Sequence, residues 1–195
     1  FRVPIDVIEA LTNNEAFVVK AKTNLSATEL MMELETVFEM RKDKELSYEQ
    51  TASKIQCLLE HNTHLAFSRK LREYDLNEED QTLLVLFCHL FANNDDDEIR
   101  FHDIEFLFRK NQWNRIKCML NVKCHTLQYL QLIEYGNDYG RADRETFRLT
   151  REAKRELLSE LNLASMSQAC KGMIKAKDIV AKQLFYEKDN QQQIA

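Results

Sequence analysis

The sequence predicts a mainly α fold in which helices come first and a small β element comes late. Three observations carry this expectation. The 195 residues include only three glycines and one proline, against the roughly 12% these two types usually contribute, which excludes glycine-rich phosphate loops, collagen-like repeats and most sandwiches. Apolar residues make up 44% of the chain and charged residues 30%, the balance of a folded core under a solvated surface. Helix-start signals recur along the chain, whereas alternating apolar residues occur only in short stretches after Asp97.

The elements follow in order. Ser26-Ala-Thr-Glu29 is a capping box, in which serine and glutamate side chains each satisfy a backbone N–H of the first turn. Leu25 and Leu30 flank it as a hydrophobic staple, and Leu30, Leu34 and Phe38, with Met31 beside them, form one buried stripe. A second box, Ser47-Tyr-Glu-Gln50, opens a helix with Tyr48, Ala52, Ile55 and Leu59 on its core face. Leu65 to Tyr74 reads as a shorter helix. Asn77 then caps a helix whose first turn, Glu78-Glu-Asp80, suits the positive end of the helix dipole. From Leu83 to Phe91 that helix is apolar all round, the mark of a central, buried element. It ends in the polar run Asn93-Asn-Asp-Asp-Asp97.

Beyond this point the period changes repeatedly. Glu98-Ile-Arg-Phe101 alternates like a short strand, and Asp103 is expected to cap a brief helix carrying Ile104, Leu107 and Phe108. A helical pattern returns from Asn111 with Trp113, Ile116, Leu120, Leu127 and Leu130, with a turn at Asn121-Val-Lys123. Leu132 to Tyr135 reads as a strand, Gly136-Asn-Asp-Tyr-Gly140 as a turn, and Glu145 to Leu149 as the returning strand. Thr150 caps a last helix from Arg151 to Leu161.

This order resembles a winged helix-turn-helix with a small β wing. Leu127-Gln-Tyr-Leu-Gln-Leu-Ile-Glu134 resembles a recognition helix running into its first wing strand, and Phe147-Arg-Leu-Thr150 with Ala153 and Leu157 resembles the returning strand and closing helix. The expected organisation is a helical subdomain over 1–75, a winged helix over 76–162 and a linker over 163–195. Phe1-Arg-Val-Pro4 with Val7 and Leu11 echoes the Phe147 phrase. Residues 1–12 are therefore either the end of an earlier winged helix or a chance repeat of a short motif.

Catalytic chemistry finds no residues to carry it. The chain lacks Gly-x-x-x-x-Gly-Lys-Ser/Thr, Gly-x-Ser-x-Gly, His-Glu-x-x-His and Gly-x-Gly-x-x-Gly, so it is expected to be non-catalytic and to bind no cofactor or metal. Cys57, Cys88, Cys118, Cys124 and Cys170 include no Cys-x-x-Cys and read as free thiols that pack as small hydrophobes. Cys57, His61 and His64, spaced i, i+4, i+7, are the best metal candidates, and an ordinary polar helix face is the preferred reading. Cys118, Cys124 and His125 are a weaker set, with the thiols expected inside. His89 is expected as a hydrogen-bonded core histidine. Asp95-Asp-Asp-Glu98 lacks the glycine and spacing of a calcium loop and reads as a solvated loop.

Charge leaves the partner open between protein and DNA. The formal net charge is −5, but residues 100–155 carry 12 Lys and Arg against 7 Asp and Glu. Asn114, Lys117, Asn121 and Gln128 are expected as a polar stripe opposite Trp113, Ile116 and Leu120, with Arg115 and Lys123 nearby. Such side chains read base edges and phosphates when a helix enters a major groove. Arg141 and Arg144 fall at the wing, beside Asp138 and Asp143. The preferred reading is a solvated face used for protein contacts, with at most weak DNA binding.

Four phrases together resemble the N-terminal region of a family of bacterial AAA-type ATPases: Phe1-Arg-Val-Pro-Ile-Asp-Val-Ile-Glu-Ala-Leu11, Leu86-Phe-Cys-His-Leu-Phe91, Ala142-Asp-Arg-Glu-Thr-Phe-Arg-Leu-Thr150 and Ile179-Val-Ala-Lys-Gln-Leu-Phe-Tyr186. The resemblance implies a region that recognises a protein substrate or adaptor, with ATP and Mg bound only by a module beyond Ala195, through which the protein would also oligomerise. The longest apolar run, Leu83 to Cys88, is far short of the ~20 residues that span a bilayer. With no secretory signal at Phe1, the expectation is a cytoplasmic piece of a longer protein.

Overall fold

Local capping chemistry determines where the first helices begin. In α1 (Ala27–Lys42) and α2 (Tyr48–His61) the cap serine accepts the N–H three residues on, and the Glu29 or Gln50 side chain accepts the serine's own N–H. α3 (Ala66–Glu73) has no such cap from Leu65. Its first N–H is instead taken by Glu160 Oε2 at 2.7 Å, from the far end of the fold. α4 (Glu78–Asn94) starts where Asn77 Oδ1 accepts the Asp80 N–H at 2.8 Å. The computed structural model describes residues 22–94, 97–138 and 141–161; the expectations for 1–12 and 163–195 lie outside these.

α4 is the axis of the core. Every residue from Thr82 to Leu90 is buried, and α1, α2 and the β part all pack on it. The stripes anticipated on α1 and α2 lie inside, with Leu30, Leu34, Phe38, Tyr48, Ala52, Ile55 and Leu59 all buried. Asn62 is buried as well, and its amide is fully used. Oδ1 accepts from Leu25 N–H, while Nδ2 donates to the carbonyls of Lys22 and Leu58, all within 2.9 Å. A buried amide with each group paired anchors the approach to α1 on the end of α2.

The rest of the described chain is β1 (Ile99–Arg100), α5 (Phe101–Ile104), a 3₁₀ turn (Glu105–Leu107), α6 (Lys110–Asn121), α7 (Thr126–Tyr129), β2 (Ile133–Asp138), β3 (Arg141–Leu149) and α8 (Arg151–Leu157). The strands form one antiparallel sheet in the order β1-β3-β2. The protein is thus mainly helical with a small antiparallel sheet.

Several boundaries differ from expectation, each for a visible reason. Asp103 is not the cap of α5 but its third residue, where Oδ2 accepts the Arg100 N–H at 2.8 Å. Gly136 to Asp138 are not turn but strand: β2 continues past a bulge between Tyr135 and Gly136, which brings Gly136 opposite Asp143. A Cβ at Gly136 would stand 2.0 Å from Thr146 Oγ1, so glycine is required by the close approach of β3 rather than by a reverse turn. The last helix stops at Leu157. Leu83, Phe87, Ile104, Leu107, Ile116, Leu120 and Leu149 are buried. Phe91 and Trp113 are only half-buried, with Lys154 Nζ 4.2 Å above the Phe91 ring and Trp113 edge-on to Phe101 at 5.7 Å.

The helices of residues 27–73 are tied to elements later in the chain. Arg41 donates to the carbonyls of Leu107 and Leu46, each at 3.0 Å. The Tyr48 and Phe108 rings meet at 5.7 Å, and Arg109 pairs with Glu49. Among the described residues no helix is long and apolar enough to cross a membrane.

Phe87 has no exposed surface, and truncation leaves a void that close-packed neighbours cannot fill. Phe87→Ala is expected to lower stability by about 3–5 kcal/mol in urea unfolding; a loss below about 1 kcal/mol would place Phe87 outside the core.

Candidate functional site

α6 is the element on which the sequence places most candidate residues, and three contacts determine how it sits. The first is at its start, where Gln112 Oε1 accepts the Arg109 N–H at 3.1 Å while Gln112 Nε2 reaches Glu79 Oε2 at 3.3 Å. The second is a two-oxygen contact from Arg115 Nη2 to Glu79, at 2.5 and 2.7 Å. The third is at its end, where Leu120 O accepts both the Tyr135 hydroxyl at 2.8 Å and Gln128 Nε2 at 3.2 Å. Tyr135 also reaches Asn121 O at 2.9 Å. These bonds satisfy carbonyls that the last helical turn leaves open.

The turn after α6 contains Lys123 at φ 60°, the left-handed conformation that ends a helix. His125 then begins α7. Its Nδ1 accepts the Leu127 N–H at 3.3 Å, so the ring proton sits on Nε2, 3.4 Å from Asp80 Oδ1. Both side chains are almost fully enclosed. Burial holds the His125 pKa below its ordinary value, against the opposing pull of Asp80. The first turn of α4 therefore grips α6 through Glu79 and α7 through Asp80.

The candidate residues separate into distinct environments. Asn114, Lys117 and Asn121 are exposed along one side of α6, opposite the buried Ile116 and Leu120. Arg115 is exposed but occupied by Glu79, and Lys117 Nζ lies 5.0 Å above the Phe101 ring. Gln128 does not join the exposed row: it is 6% exposed and turned inward to Leu120. The four-residue α7 starts a new turn of chain, so helical spacing from Asn121 does not carry across it. Lys123 and Arg144 are exposed. Arg141 opens β3 opposite Asp138, and Asp143 accepts from Glu145 N–H and the Thr146 hydroxyl.

The turn and α7 also carry exposed apolar side chains. Tyr129 is 84% exposed, Val122 61% and Leu130 40%. Helical spacing puts Leu130 in the core, but it follows the last residue of α7 and faces outward.

The metal candidates do not assemble. α2 ends at His61, whose Nδ1 contacts Cys57 O at 2.8 Å and Cys57 Sγ at 3.6 Å. His64 falls past the helix end and meets Leu25 O at 2.9 Å instead. Among the described residues no three His, Cys, Asp or Glu side chains form a group that could hold a metal ion. Cys118 and Cys124 are exposed rather than buried, while Cys88 is buried. Asp97 pairs with Lys154; Asp95 and Asp96 lie outside the described residues. His89 is a core histidine, with Nδ1 3.1 Å from Asn93 Nδ2 and its ring 5.1 Å from Phe38. Burial lowers its pKa to about 4.

Comparison of the chain with protein-family models, with curated proteins and with solved structures finds no match.

Removing the Tyr135 hydroxyl tests the end of α6. Tyr135→Phe is expected to cost about 1 kcal/mol and to speed amide exchange in the last turn; unchanged exchange there would refute the contact. The buried histidines set a pH dependence. His89 and His125 stay neutral in the fold below pH 6.5, where the unfolded chain takes up protons, so stability is complete above about pH 6.5 and falls as acid is added. For His89 the interval from 6.5 down to about 4 corresponds to about 3 kcal/mol at roughly 1.4 kcal/mol per pH unit. His89→Leu is expected to flatten that slope, as read from urea midpoints between about pH 7 and pH 4.

Proposed function

We propose that this chain is a non-catalytic recognition region that binds a protein substrate or adaptor, N-terminal to an AAA-type ATPase module. In this reading residues 76–162 are a winged helix whose outward face has been turned to protein contact. The observation that carries it is the pair of environments at the end of α6. Arg115 and Lys117 are engaged within the chain, while Val122, Tyr129 and Leu130 present apolar surface. Tyrosine exposed beside aliphatic side chains is typical of protein-binding surfaces. The net charge of −5 further disfavours a polyanion.

The second reading, a DNA-binding winged helix, draws on the exposed row Asn114, Lys117 and Asn121. It requires phosphate neutralisation, so log K must fall with log salt by about 0.9 per phosphate contacted.

Two measurements separate the readings. A photocrosslinking amino acid at Tyr129 is expected to give a protein adduct in cells, lost when Val122 and Leu130 are both changed to Asp; nucleic-acid adducts alone would reverse the assignment. In anisotropy titrations with duplex DNA, binding no tighter than the ~10⁻⁴–10⁻⁶ M of nonspecific contacts is expected near physiological salt. Nanomolar, sequence-selective binding abolished by Lys117→Glu with Arg144→Glu would establish the DNA reading. The ATPase assignment predicts a Walker A motif encoded after Ala195, and its absence from the gene would remove that part.

A further inference from the structure

A groove of about 590 Å³ runs beside β2, from the α6–α7 turn to the first residues of α8. Two features of different origin meet in it. β2 is an outer strand of the sheet. Thr150 N–H donates to Leu132 O, and Ile133 stands opposite Leu149 and Tyr135 opposite Phe147. This register makes those two pairs non-hydrogen-bonded, so the backbone N–H and C=O of Ile133 and Tyr135 point away from β3. Outside the strand ladder, none of these groups has a backbone hydrogen-bond partner among the described residues.

The second feature is Gln128. It is 6% exposed and lines the groove. Its Nε2 is committed to Leu120 O, but its Oε1 is buried with no partner among the described residues. Buried amide oxygens are normally paired, so this one calls for a donor from outside. Charges of both signs line the groove around it. The Glu152 and Glu156 carboxylates line it together with Lys123 and Arg151; Glu156 also accepts the Tyr74 hydroxyl at 2.9 Å, and Glu134 is occupied by Arg148 at 2.8 Å.

We propose that this groove takes an extended segment of a protein partner as an added strand on β2, with a lysine or arginine of that segment donating to Gln128 Oε1 and facing Glu152 and Glu156. Main-chain pairing to Ile133 and Tyr135 supplies the docking, and the cationic side chain supplies selectivity. The proposal rests on the protein-recognition reading and names the kind of partner that reading needs. It places the partner's backbone on the sheet edge, beside the exposed Tyr129 and Leu130.

The test uses the ¹⁵N-labelled 195-residue chain and two pools of synthetic ten-residue peptides, alike except for a central arginine or a central glutamate. The arginine pool is expected to shift and protect the amides of Ile133 and Tyr135 and to shift the Gln128 side-chain amide, with affinity falling as salt rises. Glu152→Arg, at an exposed position, is expected to weaken this binding at least tenfold, and Gln128→Met similarly. Equal shifts from the glutamate pool, or no shifts on β2 from either pool, would overturn the proposal. So would sedimentation showing that β2 instead pairs with a second copy of the chain. If β2 is silent while Tyr129 still crosslinks to protein, this groove assignment fails and the recognition reading stands. If Tyr129 yields no protein adduct either, both fail.

Discussion

A helix with no polar side must be covered on every side, and α4 imposes that condition on the whole molecule. Its residues Thr82 to Leu90 are buried in unbroken sequence, so no neighbour can be removed without exposing apolar surface. α1 and α2 cover it from one direction, β3 and α7 from others. The ties from Arg41 to Leu107 and from Glu49 to Arg109 follow from this arrangement. Elements distant in sequence share one core because they share one helix to cover.

The polar start of the same helix governs the surface as well. Glu79 and Asp80 begin as favourable charges at the positive end of a helix dipole, but each also reaches across to a later element. Glu79 occupies Arg115 and Gln112, and Asp80 faces His125. The Arg115 cation, which would otherwise be offered to an external polyanion, is thus used to orient α6. The turn that these contacts support then displays Val122, Tyr129 and Leu130. Packing and surface character are therefore linked through two adjacent carboxylates.

Features that depend on a few neighbouring residues are legible in the sequence. Both serine capping boxes, the Asn77 cap, the Thr150 cap and the turn at Lys123 all sit where local chemistry places them. So does the pairing of the two longer strands. Features that depend on distance are not legible. Glu160 capping α3 joins residues 94 apart, and no local pattern announces it. Periodicity misplaces Gln128 because the left-handed turn at Lys123 interrupts the helix and resets its phase. The glycine in Gly136-Asn-Asp reads as a turn, but its real constraint is Thr146 on the opposite strand. Of the candidate site, the exposed row on α6 is legible from periodicity. The roles of His125 and Tyr135 are not, since each depends on a partner brought close only by the fold.

The anchoring of the last described helix has a mechanical consequence. Lys154 holds Asp97, Glu156 accepts the Tyr74 hydroxyl and Glu160 caps α3. These bonds lie on successive turns of chain and attach to different elements. A tension applied to the backbone at Leu161 therefore meets the Glu160, Glu156 and Lys154 contacts in turn, each on a different element. Load entering there is shared with α3, with Tyr74 at its end and with Asp97 beyond α4 before it reaches β3 through Thr150.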